Sequence, residues 1–340
     1  MLIRQLFILH RCFYLGQFIT ASAEVRFESA NELGGIDAHT GSRGPRVAVL
    51  LATCNSELWL RQQLDTIFAQ QGVVLHLFVS DDRSTDNTVS IIDEYASRFP
   101  VTLLPRLADS FGNANRNFLR LIRDTDVAGF DHVAFSDHDD IWYSNKLRRA
   151  VDCIAQLGVH AYSSDVTAFW ADGREQLVLK AKPGRLYDYL FESPGPGCTF
   201  VFLRASFEDL RAFVLQRFEA ACQVKVHDWL IYAYARTHGW GWYIDNWSSM
   251  LYRQHGGNEI GANFGWQAIR RRLWAIRSGG FRTDVLTIAD LVGDNSWVVE
   301  ALRQLTIIDR LRLMLMAREF RRRRWHRWLL ALFFLLMPRP

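Results

Sequence analysis

Four short, mostly apolar runs, Val47–Ala52, Val74–Val79, Val101–Leu104 and His132–Phe135, alternate with stretches of helical periodicity. Runs of that length and composition are the pattern of strands buried on both faces. Between them Leu60, Leu64, Ile67 and Phe68 recur at helical spacing, and Thr88–Phe99 carries Ile91, Ile92 and Tyr95. Asn117–Arg123 belongs to a third helix, and Asn145–Leu157 presents Leu147, Val151 and Ile154 on one face. Strands alternating with helices of about 10–15 residues predict an α/β fold with a parallel, doubly wound sheet. Ligands in such sheets bind beyond the carboxyl ends of the strands, so that edge is where chemistry is expected.

The pattern loosens after Tyr162. Lys182-Pro183-Gly184 and Pro194-Gly195-Pro196-Gly197 bracket a loop, followed by a strand over Cys198–Arg204 and a helix from about Ser206. Asp228–His238 reads as a further helix, and Ser296–Ala317 as one long amphipathic helix with Leu302, Leu305, Ile308, Leu311 and Leu315 along its stripe. At the other end, Met1–Ile19 is apolar but broken by Arg4, His10 and Arg11, which argues against a signal peptide despite the small residues Ala21-Ser22-Ala23. Residues 1–44 are expected to be a poorly ordered extension, closed by a linker rich in glycine.

Three polar clusters fall just after apolar strands. Thr53-Cys54-Asn55 follows the first, Asp81-Asp82-Arg83-Ser84-Thr85-Asp86 the second, and Asp137-His138-Asp139-Asp140 the fourth. Asx and Ser residues commonly end strands and cap helices, and Asp86 suits a cap or turn. Taken together, the clusters put several carboxylates on one edge of the sheet, where their repulsion needs a cation or hydrogen-bond donors. Asp137 and Asp139 are the candidate metal pair, because Mg²⁺ or Mn²⁺ prefers a few carboxylates plus phosphate oxygens. His138 has no second His or Cys at zinc-ligand spacing.

No GxGxxG or GxxxxGK[ST] occurs, which argues against a dinucleotide fold or a P-loop. The net charge of +4 sits mainly at the C-terminus, not along a stripe, and does not suggest a nucleic-acid partner. Five widely spaced cysteines without a CxxC pair fit a reducing compartment.

The motifs VLLATCN (Val49–Asn55), VSDDRSTDNT (Val79–Thr88), FSDHDDIWYSNKL (Phe135–Leu147), GCTFV (Gly197–Val201), His227-Asp228-Trp229 and YRQHGGN (Tyr252–Asn258) resemble the ordered motifs of family 2 glycosyltransferases. The likeness is to those of the GT-A fold, and within them to the rhamnosyltransferase-like branch. It spans roughly residues 45–265, leaving 266–340 as a helical C-terminal region. The resemblance implies that Thr53, Asn55, Asp81 and Asp82 hold the nucleoside, and that Asp137 and Asp139 place a divalent metal and the diphosphate. It makes Asp228 the base that deprotonates the acceptor; on residue type alone, a helix N-cap fits Asp228 equally well. Cys54 stands where the family often has an aromatic residue, and His138 where this branch usually has Gln.

Further donor- or acceptor-binding candidates are His138, Asp140, Trp142, Trp229, Arg253 and His255. Arg253 suits a bidentate hold on phosphate, and the two tryptophans could stack on sugar rings or simply belong to the core. The expected partners are a nucleotide-diphosphate sugar and a glycan or lipid-linked glycan, with rhamnose from dTDP-rhamnose the expected donor and a UDP-hexose the alternative. A nucleotidyltransferase would want a glycine- and Arg/Lys-rich loop after the first strand, and Thr53–Arg61 has no glycine. A non-catalytic glycan-binding relative would not need Asp137, Asp139 and Asp228 together.

At the C-terminus Arg318, Arg321, Arg322, Arg323, Arg324 and Arg327 precede the apolar stretch Trp328–Met337. Too short to span a bilayer, this segment is expected to be a peripheral anchor on anionic lipid at the inner face of the plasma membrane, inserting Trp328, Leu329, Phe333 and Phe334.

Overall fold

The first apolar run forms β1 (Arg46–Thr53), buried from Val47 onward. Its alternate side chains enter two different cores. Ala48, Leu50 and Ala52 join one, with Phe118 and Leu121; Val47, Val49 and Leu51 join the other, with Leu60, Leu64, Ile91 and Leu147. A strand with two apolar faces needs cover on both sides, and that requirement produces the layered fold. The structure is a computed structural model that describes residues 44–106, 108–256 and 280–338. The expected N-terminal extension, apart from Gly44, and the Gly257-Asn258 end of the last motif lie outside the described residues.

The first half follows the expected alternation: α1 (Leu60–Phe68), β2 (Val74–Asp81), α2 (Thr88–Ala96), β3 (Val101–Leu103), α3 (Ala114–Asp124), β4 (His132–Ser136), β5 (Ile141–Trp142) and α4 (Lys146–Leu157). Then come β6 (Ala161–Trp170), β7 (Glu175–Val178), β8 (Val201–Leu203), α5 (Arg204–Ala221), α6 (His227–Thr237) and β9 (Trp242–Gln254). The described strands form one sheet in the order β3-β2-β1-β4-β8-β6-β9-β5, with β7 beside β6. It is parallel from β3 through β4 and mixed beyond, since β8 runs antiparallel to both β4 and β6.

The long pair β6–β9 is not marked by apolar runs, because its buried residues are largely polar and satisfy one another. Ser164 Oγ donates to Ser249 Oγ at 2.7 Å, Tyr162 OH to Asp245 at 2.9 Å, and Arg149 pairs with Asp245 at 2.6 Å. The expected strand over Cys198–Arg204 is a 3₁₀ turn (Gly197–Thr199) followed by the shorter β8.

The C-terminal region departs further from expectation. In place of one helix over Ser296–Ala317 there are two, α8 (Trp297–Gln304) and α9 (Ile307–Leu315), after α7 (Gly280–Val292). Leu305 turns left-handed at φ 47°, and Thr306 opens α9 with a capping box to Asp309. That Thr-x-x-Asp signature is a helix start that outweighs the leucine periodicity. Leu302 and Leu305 are buried, whereas Ile308, Leu311 and Leu315 face outward.

The final helix α10 (Arg324–Leu336) also corrects the anchor as first drawn. Phe333 and Phe334 pack into the protein's own core and cannot insert elsewhere. Arg322 is buried, its Nη1 3.5 Å from Asp188 and its backbone N–H donating to Glu192 at 2.7 Å. Arg327 is engaged by the carbonyls of Arg321 and Arg322. Asp188, fully buried, also accepts from Arg236 of α6 at 2.8 Å, so one carboxylate ties α6 to the C-terminal segment. Removing one partner of a buried ionic cluster leaves charge uncompensated, at a cost of about 3–5 kcal/mol. Asp188→Ala should lose that much stability in denaturant unfolding, and far more than Asp172→Ala in its exposed pair with Arg174.

Candidate active site

The parallel register assembles the three polar clusters. Thr53 ends β1 directly opposite Asp81 at the end of β2, and Ser136 of β4 pairs with Leu51, so Asp137 emerges at the same edge. Here a cleft of about 1520 Å³ opens, lined by Thr53, Asn55, Asp82, Asp137, His138, Asp139, Asp228 and His255 among others. Asp81, Asp140, Trp142, Trp229 and Arg253 do not line it.

The crowded carboxylates are held in different ways. Asp81 accepts from Thr53 Oγ1 at 3.0 Å and Ser84 N–H at 2.9 Å; Asp82 accepts the N–H groups of Phe111 at 2.6 Å and Gly112 at 2.9 Å. Asn55, left-handed at φ 48°, accepts from Thr85 N–H at 2.9 Å and bridges the first two loops. Asp86 accepts from the N–H groups of Thr88 and Glu57, the turn role its residue type suggested.

Asp139 lies 2.7 Å from His255 Nε2, and the His255 ring sits against Trp59 with centroids 4.1 Å apart. Asp140 is wholly buried; its carboxyl is pushed well above the usual range by burial and then by the charges of Asp139 and Asp137. Arg253 braces this turn, donating from its N–H to Asp140 at 3.2 Å and from Nε to the Asp139 carbonyl at 2.7 Å. Beneath lies the buried Lys146, whose ammonium donates to the Cys198 carbonyl at 2.6 Å and sits 3.4 Å from the Trp142 ring centroid. Trp142 is thus part of the core. Trp229 donates from Nε1 to the Tyr189 carbonyl and stacks on Phe281.

Burial, followed by the Asp139 carboxylate, raises Asp137 to about 7. A half-buried carboxylate beside another is short of positive charge, and a divalent cation would supply it. Ligand atoms of Asp137, Asp140 and Cys198 lie within 4.8 Å of one another. Cys198 fits a hard cation poorly, because burial pushes its thiol up and keeps it protonated. Asp139 is not among those three, but it lines the cleft together with Asp137.

Asp228 stands in the first turn of α6, whose N-cap is Val226, so it is not the cap. One carboxylate oxygen accepts from Gly197 N–H at 3.1 Å and the other lies 2.9 Å from His227 Nε2. The His227 ring stacks on Phe118 with centroids 4.3 Å apart. A Cβ on Gly197 would come within 2.5 Å of Asp228 and 2.6 Å of His227. Gly197 is therefore the residue that lets the backbone approach the carboxylate. The sequence marked it only as part of a motif, and it left Trp59 unmarked; no local pattern distinguishes either role.

A mixed sheet with helices on both faces, acidic residues at its carboxyl edge and a carboxylate across the cleft define the GT-A class of enzymes, which transfer sugars from nucleotide donors. The family described as Glycosyl transferase family 2 matches residues 48–211. A curated relative, the dTDP-rhamnosyl transferase RfbG of Shigella flexneri, is 41% identical over 250 residues, covering 73% of this chain and 86% of that protein. The putative glycosyltransferase EpsE of Bacillus subtilis is 29% identical over 110 residues, covering 32% and 38%. Among solved structures, S. aureus TarS residues 1–349 in complex with UDP-GlcNAc shares the fold at a TM-score of 0.55 and 16% identity, covering 86% of this chain and 82% of that one. This chain belongs to glycosyl transferase family 2. It is a glycosyltransferase that uses a nucleotide sugar.

Gly197→Ala should fold and keep donor affinity yet lower kcat at least about tenfold, because its methyl group displaces Asp228; a base contributes about 10²–10⁴ in rate. Steady-state kinetics with donor and acceptor varied separately would check this, and an unchanged kcat would remove Asp228 from the chemistry.

Proposed function

We propose that the enzyme inverts the configuration of the sugar it transfers, moving rhamnose from dTDP-rhamnose to a hydroxyl of a glycan or lipid-linked glycan in surface polysaccharide synthesis. The observation carrying this reading is that Asp137 and Asp228 line one cleft, with Asp228 held by the Gly197 N–H and 2.9 Å from His227 Nε2. Asp228 takes the proton of the acceptor hydroxyl as its oxygen attacks the anomeric carbon from the face away from the diphosphate. The bond to the diphosphate breaks in the same step. Asp137 and Asp139 would hold Mg²⁺ or Mn²⁺, which when bound supplies Lewis-acid stabilisation of the leaving diphosphate. Thr53, Asn55 and Asp82 face the nucleoside, and Asp81 fixes their loops. His138 and His255 lie within reach of the donor, while Asp140 and Arg253 support the acidic turn. The 41% identity to a dTDP-rhamnosyl transferase favours rhamnose over the hexoses of UDP donors.

The division of labour follows the chain: residues 45–265 make up the transferase domain, and helices within 280–338 belong to the C-terminal region. Among the described residues no helix is long and apolar enough to cross a membrane. A peripheral contact with anionic lipid at the inner face of the plasma membrane is supported by the outward sides of α9 and α10, which pack together. They expose Ile307, Ile308, Leu315, Trp328, Leu332 and Leu336, with Arg318 and Arg324 nearby.

Two measurements test these readings. Asp137→Ala and Asp139→Ala should each abolish the Mn²⁺-dependent part of dTDP-rhamnose binding in calorimetry while leaving the fold intact; UDP-hexoses displacing dTDP better than dTDP-rhamnose does would overturn the donor. For the membrane, the double variant Trp328→Glu/Leu332→Glu should stop flotation with anionic liposomes without unfolding the chain, since both residues are exposed. Flotation indifferent to lipid charge, or equal for both proteins, would exclude the contact.

A further inference from the structure

The cleft has a second chemical character besides its acidic edge. Part of its lining comes from the segment after β7 and from the start of α10: Lys180, Lys182, Arg323, Arg324 and the first-turn residues Trp325 and His326. We propose that this basic wall is an anion subsite, and that the acceptor carries phosphate close to the hydroxyl that is glycosylated. The proposal rests on the transferase reading above and adds the chemistry of the second substrate.

The argument is one of unbalanced charge. Arg322, in the same wall, is neutralised by Asp188 and Glu192. Its neighbours are not. Arg323 donates to the Leu179 carbonyl, a neutral group, and among the described residues no carboxylate pairs with Lys180, Lys182, Arg323 or Arg324. Burial, and then the nearby Arg322, push the Lys180 ammonium down to about 8, with Glu192 acting in the opposite direction and Arg323 adding to the depression. The same wall includes the N-terminal turn of the thirteen-residue helix α10, whose N-cap Arg323 makes no side-chain cap hydrogen bond. A helix start flanked by Lys and Arg is suited to phosphate.

The position assigns that phosphate to the acceptor. The donor diphosphate belongs with the cation at Asp137 and Asp139, whereas Lys180 lies within electrostatic reach of Asp228, the group facing the acceptor hydroxyl. A neutral glycan would gain nothing from these charges and would leave them partly desolvated.

The test compares three acceptors bearing one sugar on the full chain: the sugar 1-phosphate, its decyl-diphosphate conjugate and its decyl glycoside. Both phosphate-bearing acceptors should show a KM at least about tenfold below the glycoside, the worth of one charge-assisted contact. Lys180→Gln and Arg324→Gln should each raise KM for the phosphate-bearing pair about tenfold and leave KM for the glycoside unchanged. If the conjugate outperforms the sugar phosphate, the alkyl chain contributes as well; if the two are equal, phosphate suffices. A glycoside used as well as the others, or variants with unaltered KM, would overturn the subsite. Hydrolysis of the donor without acceptor reports on the transferase reading separately. Should that hydrolysis be absent, calorimetry of the sugar 1-phosphate decides the subsite alone: binding lost in Lys180→Gln supports it, and equal binding by both proteins refutes it.

Discussion

Repulsion among carboxylates at the carboxyl edge of the sheet is the constraint around which the rest of the structure is arranged. The parallel pairing of β1 with β2 and β4 brings Thr53, Asp81 and Asp137 to one line, and no rearrangement within that sheet separates them. Each carboxylate is then stabilised differently. Asp81 and Asp82 accept from hydroxyl and backbone donors of their own loop, of Thr53 at the end of β1 and of the segment after β3. Asp139 has His255, and Asp140 is braced from behind by Arg253. Asp137 keeps its raised pKa. A divalent cation bound there would relieve that residual electrostatic demand.

Asp228, the proposed base, is positioned by a different device. Asp228 belongs to α6, not to the sheet, so its position relative to Asp137 is set by tertiary packing. Three contacts hold it: Gly197 N–H, the His227 imidazole, and the seat of α6 against Asp188 through Arg236. Asp188 also receives Arg322, so the segment leading into α10 is fixed by the same carboxylate that seats α6. The C-terminal residues that read as an appendage in the sequence therefore form part of the cleft wall.

Much of this was legible in the chain itself. The apolar runs before Thr53, Asp81 and Asp137 gave away the parallel half of the sheet, because strands buried on both faces must be continuously apolar. The Asp137–Asp140 cluster and Asp228 stood out by type and motif. The β6–β9 pair did not, because its buried serines, Asp165 and Asp245 find their partners only after folding, and local polarity disguises burial. Sugar stacking and core packing were both open for Trp142 and Trp229, and they are packed against Lys146 and Phe281. The break at Leu305 was written in Thr306-x-x-Asp309 but masked by a persuasive leucine spacing. Gly197 shows the limit most plainly: a glycine's close approach to a side chain far along the sequence leaves no trace in its neighbours.

The central claim is that Asp228 and the acidic edge act on opposite faces of one anomeric carbon in a single displacement. The stereochemistry of transfer tests that most directly. With a nucleotide sugar of known anomeric configuration, NMR of the early product, taken before any equilibration, should show only the opposite configuration. Product that retains the donor's configuration would require two displacements or a front-face mechanism, and would contradict this account of the site.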